Sequence, residues 1–176
     1  MSVLPWFLPG LAVSFVVGLR ARRSVGRMLG VRPSVASAIL IGFGMIVSAT
    51  LTPLYGELSV RASGMGDCDL SRIGFASPEE LLSLGDPTLN VFLFVPFGAA
   101  LGLVGESRHT ASLIIAALGL PVAIEAIQLF VPILGRGCQS ADVIDNLTGL
   151  VVGAAIGTVA RLLRAANAAG SGQKAR

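Results

Sequence analysis

The sequence predicts an all-α membrane protein, a bundle of about five transmembrane helices with the amino terminus outside and the carboxy terminus in the cytoplasm. Three observations carry this expectation. Apolar residues make up 53% of the 176 residues and charged residues only 13%, about half the charged share of a soluble domain, and the mean hydropathy is +0.80. The apolar residues gather in long runs, which a bilayer requires and a soluble core does not. With five spans, Arg61, Arg72 and Arg136 fall outside and the rest of the 13 basic residues fall inside, as the positive-inside rule demands. The net charge of +3 therefore reflects topology, and no nucleic-acid partner is expected. A chain spent mostly on spans leaves no room for a separate soluble domain.

The first apolar run, 3–19, has its charges on the wrong side for a signal peptide. Arg20, Arg22, Arg23, Arg27 and Arg32 follow it, so residues 1–33 read as a short span entering from outside and an arginine-rich cytoplasmic loop. The membrane domain proper is expected over 34–163. Its first span, 34–54, returns outward to an acidic outer segment, 56–88. Within that segment Ser77-Pro78-Glu79-Glu80 has the order of a helix start, with an N-cap serine, proline at the first position and acids in the first turn. A short amphipathic surface helix is expected there. The next spans are 90–104 inward, 110–134 outward and 141–163 inward. The small, polar tail 164–176 is expected to be disordered.

The polar residues inside these spans are the candidates for function. Glu125 lies in the fourth span, roughly 13 Å below its outer end at 1.5 Å per residue, with Gln128 one turn later. An ionisable group at that depth costs several kcal/mol unless paired or wetted. Pro121 removes the helix hydrogen bond to Ala117 and predicts a kink beside Glu125. Asp142, Asp145 and Asn146 open the fifth span, and Gly149, Gly153 and Gly157 continue their face as a close-packing seam. The third span adds Asn90 near its outer end, then Pro96 and Gly98 as packing residues. Arg136 sits in the loop between the last two spans. These groups predict one outer-leaflet pocket of Asn90, Glu125, Gln128, Arg136, Asp142, Asp145 and Asn146. Simpler roles stand beside it: Glu125 as the ion-pair partner of Arg136, Asp142 as an N-cap, Asp145 as a charge favoured by the helix dipole.

Cys68 in the outer segment and Cys138 in the outer loop both face the oxidising side, so a Cys68–Cys138 disulfide is expected, tying that segment over the pocket mouth. One histidine and no paired His/Cys spacing give no metal motif. No G-x-S-x-G nucleophile and no phosphate-cradling loop occurs, and no cofactor is expected.

Four stretches together resemble the VanZ-like family of bacterial membrane proteins: Thr50-Leu51-Thr52-Pro53; Asn90-x5-Pro96-Phe97-Gly98; Glu125-x-x-Gln128; and Arg136-x-Cys138-x3-Asp142-x-x-Asp145-Asn146-x-x-Gly149-x3-Gly153. The resemblance covers roughly 49–157. The family takes its name from a protein that gives low-level teicoplanin resistance, so the resemblance implies a role in the cell envelope without supplying a reaction. Three functions remain open. The pocket binds an envelope lipid or lipid-linked precursor, or alters glycopeptide access. Alternatively, the protein is an enzyme using Glu125 as general acid or base, with Asp142 or Asp145 orienting water or holding a divalent ion. Least favoured is a proton-coupled transporter with Glu125 as relay, since no inverted repeat is present.

Overall fold

The computed structural model describes residues 6–53, 67–83, 85–107 and 109–174. The start of the first expected span, Glu57 and Arg61 of the outer segment, Arg108 and Arg176 lie outside the described residues. The described chain is helical throughout, apart from short connections. Helix α1 spans Phe7–Leu29, α2 Pro33–Thr50, α3 Pro78–Leu82, α4 Asp86–Gly102, α5 Thr110–Phe130 and α6 Ser140–Lys174. The only strands among the described residues are β1, Cys68–Asp69, and β2, Cys138–Gln139, which pair in parallel.

Three of these helices are long and apolar enough to cross a membrane: α2, α5 and α6 as far as Ala169. The other two long helices differ from expectation for local reasons. Helix α1 does not stop at residue 19 but runs on through Arg20, Arg22, Arg23 and Arg27, because arginine is a good helix former and nothing breaks the chain until Gly30. Gly30 then adopts a left-handed conformation, with φ 70°, and closes the helix. Helix α4 is 17 residues long and starts at Asp86, earlier than expected, with a proline in its first turn. The tail expected to be disordered is helical as far as Lys174, in keeping with its alanines and arginines.

Helix α3 forms where the serine-proline signal placed it. Ser77 Oγ accepts from the Glu80 N–H at 3.2 Å, and Glu80 Oε2 accepts from the Ser77 N–H at 2.7 Å, a reciprocal capping box. This hydrogen bond holds the Glu80 carboxyl below the usual carboxylate range. None of its residues is buried, so it is a surface turn. It is fixed to α4 through Thr88, whose hydroxyl donates to the Leu81 carbonyl at 2.7 Å.

Small residues decide how the long helices meet. Helices α1 and α2 form an antiparallel hairpin in which Gly10 faces Ser48 and Ser14 faces Gly44. Each serine hydroxyl donates back to its own helix, Ser14 to the Gly10 carbonyl and Ser48 to the Gly44 carbonyl, both at 2.7 Å. The polar atoms are thus satisfied without leaving the helix. Helices α4 and α6 pack more extensively than any other pair. A Cβ on Gly149 would strike the Val91 carbonyl, one on Gly153 the Val95 carbonyl, and one on Gly157 the Ala99 carbonyl. Each step of four on one helix matches a step of four on the other, so the two run parallel. Helix α4 answers with Gly98 against the Leu150 carbonyl and Gly102 against that of Ala154.

The expected glycine seam therefore exists, and its partner is the helix holding Asn90. Pro96, expected to pack, is exposed. The apolar core, Ile39, Ile46, Phe94, Phe97, Ile124 and Leu150 among others, fills the space where α2, α4, α5 and α6 converge. Helix α5 continues through Pro121, which is buried beside Ile124.

Gly153→Val puts a side chain against backbone, which cannot yield. A loss of about 3 kcal/mol or more is expected, read as a fall in the unfolding midpoint of the purified protein. Gly119, where an added Cβ would meet nothing within 4 Å, is the control: Gly119→Ala should leave stability equal or slightly higher.

Candidate functional site

Four helix ends meet at one end of the bundle, where α2 and α5 finish and α4 and α6 begin. A finishing helix leaves its last carbonyls without intrahelical partners, and here side chains of the next elements take them. Gln128 Nε2 donates to the Thr50 carbonyl at 3.0 Å. Arg136 Nη2 donates to the Ala49 carbonyl at 2.6 Å. Both groups therefore cap α2 from across the bundle. Burial pushes the Arg136 guanidinium below its usual value, while the Asp142, Glu125 and Asp86 carboxylates work the other way; an arginine keeps its proton regardless.

Glu125 is 4% exposed, turned inward and away from lipid. Its Oε2 accepts from the Gln139 N–H at 2.8 Å. Gln139 belongs to β2, so the carboxylate anchors the strand that carries Cys138. The Glu125–Arg136 ion pair, the simpler role considered for Glu125, does not form. The ion pair of this end is made instead by Arg72 and Asp145, in a two-pronged contact through both Nη atoms and both carboxylate oxygens. Asp145 is 1% exposed and the Arg72 side chain 25%. The Asp145 hydrogen bond raises the Arg72 pKa.

Arg72 is brought there by a short, heavily fastened segment. Cys68 and Cys138 form the expected disulfide, with Cα atoms 4.6 Å apart. The strand pair places Asp69 beside Gln139. Ser140 Oγ donates to the Arg72 carbonyl at 2.9 Å and to the Asp69 carbonyl at 3.2 Å. Asp69 accepts from the Ser71 N–H at 2.8 Å, which shapes the turn between the cysteine and the arginine and lowers the Asp69 pKa. Sequence reasoning missed Arg72, treating it as one basic residue of the outer segment. The signal was available: Arg72 lies four residues beyond Cys68, and Asp145 seven beyond Cys138.

Asp142 lies in the first turn of α6, which begins at Ser140, so it is not the N-cap. Among the described residues no side chain or backbone group makes a hydrogen bond or ion pair with it, although Arg72 and Arg136 both feel its charge. Asn146 is one turn further on and 1% exposed. Its Oδ1 is buried without a hydrogen-bond partner, and so is Arg136 Nε. Asn90 is half-buried and lies on α4 just before Val91, the residue that meets Gly149. Among the described residues no group of three or more His, Cys, Asp or Glu side chains is placed to hold a metal ion.

An all-helical bundle with bilayer-length apolar helices and a polar constellation at one end defines a small integral membrane protein. A family model described as VanZ/LLP1 matches residues 60–161, more than half of the chain, and the chain belongs to that family. The match takes in α3 to α5, most of α6, both cysteines and Arg72. No curated protein and no solved structure matches the chain.

Arg72→Ala strands a buried carboxylate and should cost about 3 kcal/mol. Arg72→Ala combined with Asp145→Ala removes both charges and should recover part of that loss. A double-mutant cycle read by thermal unfolding measures the coupling; the two effects should be clearly non-additive.

Proposed function

We propose that this VanZ-family protein binds the polar head of an envelope lipid or lipid-linked precursor at the end of the bundle built by Glu125, Gln128, Arg136, Asp142, Asp145 and Asn146, with Asn90 at its margin. In this reading five helices span the membrane, the amino terminus and the site lie outside, and the carboxy terminus is cytoplasmic. The disulfide supports that side, since it persists where the environment is oxidising. The arginines of α1 and of α6 lie at the opposite end, as the positive-inside rule requires.

One observation carries the binding reading: hydrogen-bonding capacity is left unspent in a buried place. Buried polar groups are almost always satisfied. Here Glu125, Gln128, Asp145 and Arg72 are spent on holding the framework. Asn146 Oδ1 and Arg136 Nε are not, and beside them the part-exposed Asp142 carboxylate makes no hydrogen bond among the described residues. Two of these three are acceptors and one is a charged donor. A fitting head group therefore carries hydroxyl or amine donors beside an anionic oxygen, as a glycosyl phosphate or an ethanolamine phosphate does. Binding such a head would give the chain its place in the envelope, and a route to influence glycopeptide susceptibility.

The catalytic alternative gives Glu125 the role of acid or base. The structure favours it less, since one Glu125 oxygen is committed to the Gln139 backbone. Transport through Glu125 has the least support, because the buried layer of Ile46, Phe94, Pro121 and Ile124, each under 2% exposed, closes the path below it.

Lipids co-purifying with the wild type should include a species lost from both Asp142→Asn and Arg136→Gln, as read by native mass spectrometry. An unchanged set in both variants removes the binding reading. Glu125→Gln should reduce stability rather than abolish a reaction. Topology has its own test on a variant with Cys68 and Cys138 replaced by serine. A single cysteine in place of Ser140 should react with a membrane-impermeant maleimide on intact cells, and one in place of Ser24 only after lysis.

A further inference from the structure

We propose a second lipid site at the opposite end of the molecule: an apolar groove between α5 and the α4–α6 pair that takes one acyl chain of an anionic phospholipid, with Arg161 holding its phosphate. The groove has a volume of about 360 Å³ and is lined by Leu101, Leu113, Ala117, Leu150, Val151 and Ala154, with Thr110 and Arg161 at its end. It exists because α5 is held unevenly. Where α5 finishes, Gln128 and Glu125 tie it to α2 and β2. Among the described residues its first half has no such ties, and contact between α5 and α6 is far sparser than between α4 and α6.

The groove is not the tail-channel of the site above. Its upper lining, Ala117 and Leu150, stands two turns below Glu125 and Asp142, about 12 Å at 1.5 Å per residue. Between the two lie the buried side chains of Ile46, Phe94, Pro121 and Ile124. The one charged group of its lining, Arg161, stands at the arginine end, so the head of an occupant belongs there. Its chemistry follows from the two parts of the wall. The lining is hydrocarbon, and a groove of this size admits a flexible chain but not a helix, which is at least 10 Å across. At the mouth Arg161 donates through Nε to the Gly102 carbonyl at 3.3 Å, which fixes the guanidinium in place. Its two Nη groups make no hydrogen bond or ion pair among the described residues, and they form a fork suited to phosphate. The first turn of α5 begins beside it at Thr110 and adds the positive end of a helix dipole. Arg164, exposed one turn further along α6, strengthens the same field. An apolar slot ending in a preset cation is complementary to an acyl chain ending in an anionic head.

The test is a titration of the full-length protein in neutral detergent, followed by native mass spectrometry. The probes are phosphatidylglycerol and phosphatidylcholine with matched chains, with inorganic phosphate as competitor. Phosphatidylglycerol should bind more tightly than phosphatidylcholine. Arg161→Gln should weaken phosphatidylglycerol about fivefold, the worth of one arginine at an anionic head, and weaken phosphatidylcholine less, because its choline already offsets the phosphate charge. Val151→Trp fills the groove from an exposed position, and should weaken both lipids without changing the unfolding midpoint. The proposal is overturned if Arg161→Gln leaves the preference intact, if Val151→Trp leaves binding of both lipids intact, or if inorganic phosphate displaces the lipid. It also fails if Val151→Trp alters only the oligomeric state, which would make the groove a contact between copies. In Asp142→Asn and Arg136→Gln backgrounds, Arg161→Gln should still weaken phosphatidylglycerol by the same factor, so failure of the other site is separately visible.

Discussion

Backbone contact between α4 and α6 is the constraint on which the rest of this protein depends. In hydrocarbon, helices gain little by hiding apolar side chains from one another, because lipid is as apolar as they are. Association has to come from close packing, and glycine allows the closest approach. Five glycines, three from α6 and two from α4, put carbonyls of one helix where side chains of the other would stand. Such a contact tolerates neither sliding nor rotation. It fixes the height of Asp142, Asp145 and Asn146, which ride on the first turns of α6, against Asn90 on α4. The parallel sense of the pair also requires α5 to return between them, and so puts Glu125 and Gln128 at the same level.

The two ends of the bundle use polar groups differently. At the site end, several side-chain hydrogen bonds join elements far apart in sequence: Gln128 to Thr50, Arg136 to Ala49, Glu125 to Gln139, Arg72 to Asp145. Each partner would be expensive to leave buried alone, so the network holds the loops as firmly as the helices hold each other. At the arginine end, cations stand exposed on α1 and α6, and the described cross-bundle bond there is the one from Arg161 to Gly102. That end is fastened loosely enough for a groove to open beside α5. A rigid end and a yielding end follow from one chain because the intramembrane carboxylates all lie on one side.

Much of this arrangement is legible in the sequence, and what is not has identifiable causes. Apolar runs place the helices, and glycine spacing on α6 announces a seam. The matching glycines of α4 are harder to see, since Gly98 and Gly102 stand among alanines and a leucine that also suit a plain apolar helix. The serine–glycine exchange between α1 and α2 escapes notice because neither Ser14 nor Ser48 breaks an apolar run. Seven site residues stand out by their cost in a membrane, and that reasoning finds Glu125 and Asp145, both buried as expected. It does not find that Asp145 meets Arg72 and that Glu125 meets the Gln139 backbone. Periodicity relates residues within a helix, whereas Arg72 reaches Asp145 through a loop whose path depends on a disulfide and a two-residue strand. The arginines of α1 suggest a boundary that comes too early, since charge stops a span without stopping a helix.

The disulfide has a consequence for how the molecule is made. Cys68 and Cys138 are separated by 70 positions, and α4 and α5 both lie between them. The segment bearing Arg72 emerges early in synthesis but has nothing to close upon until α4 and α5 have been made and Cys138 follows them. Asp145 follows only with the last helix. Covalent closure and charge neutralisation are therefore late events in biogenesis, and the oxidant that seals this protein acts on a chain whose helices are almost all in place.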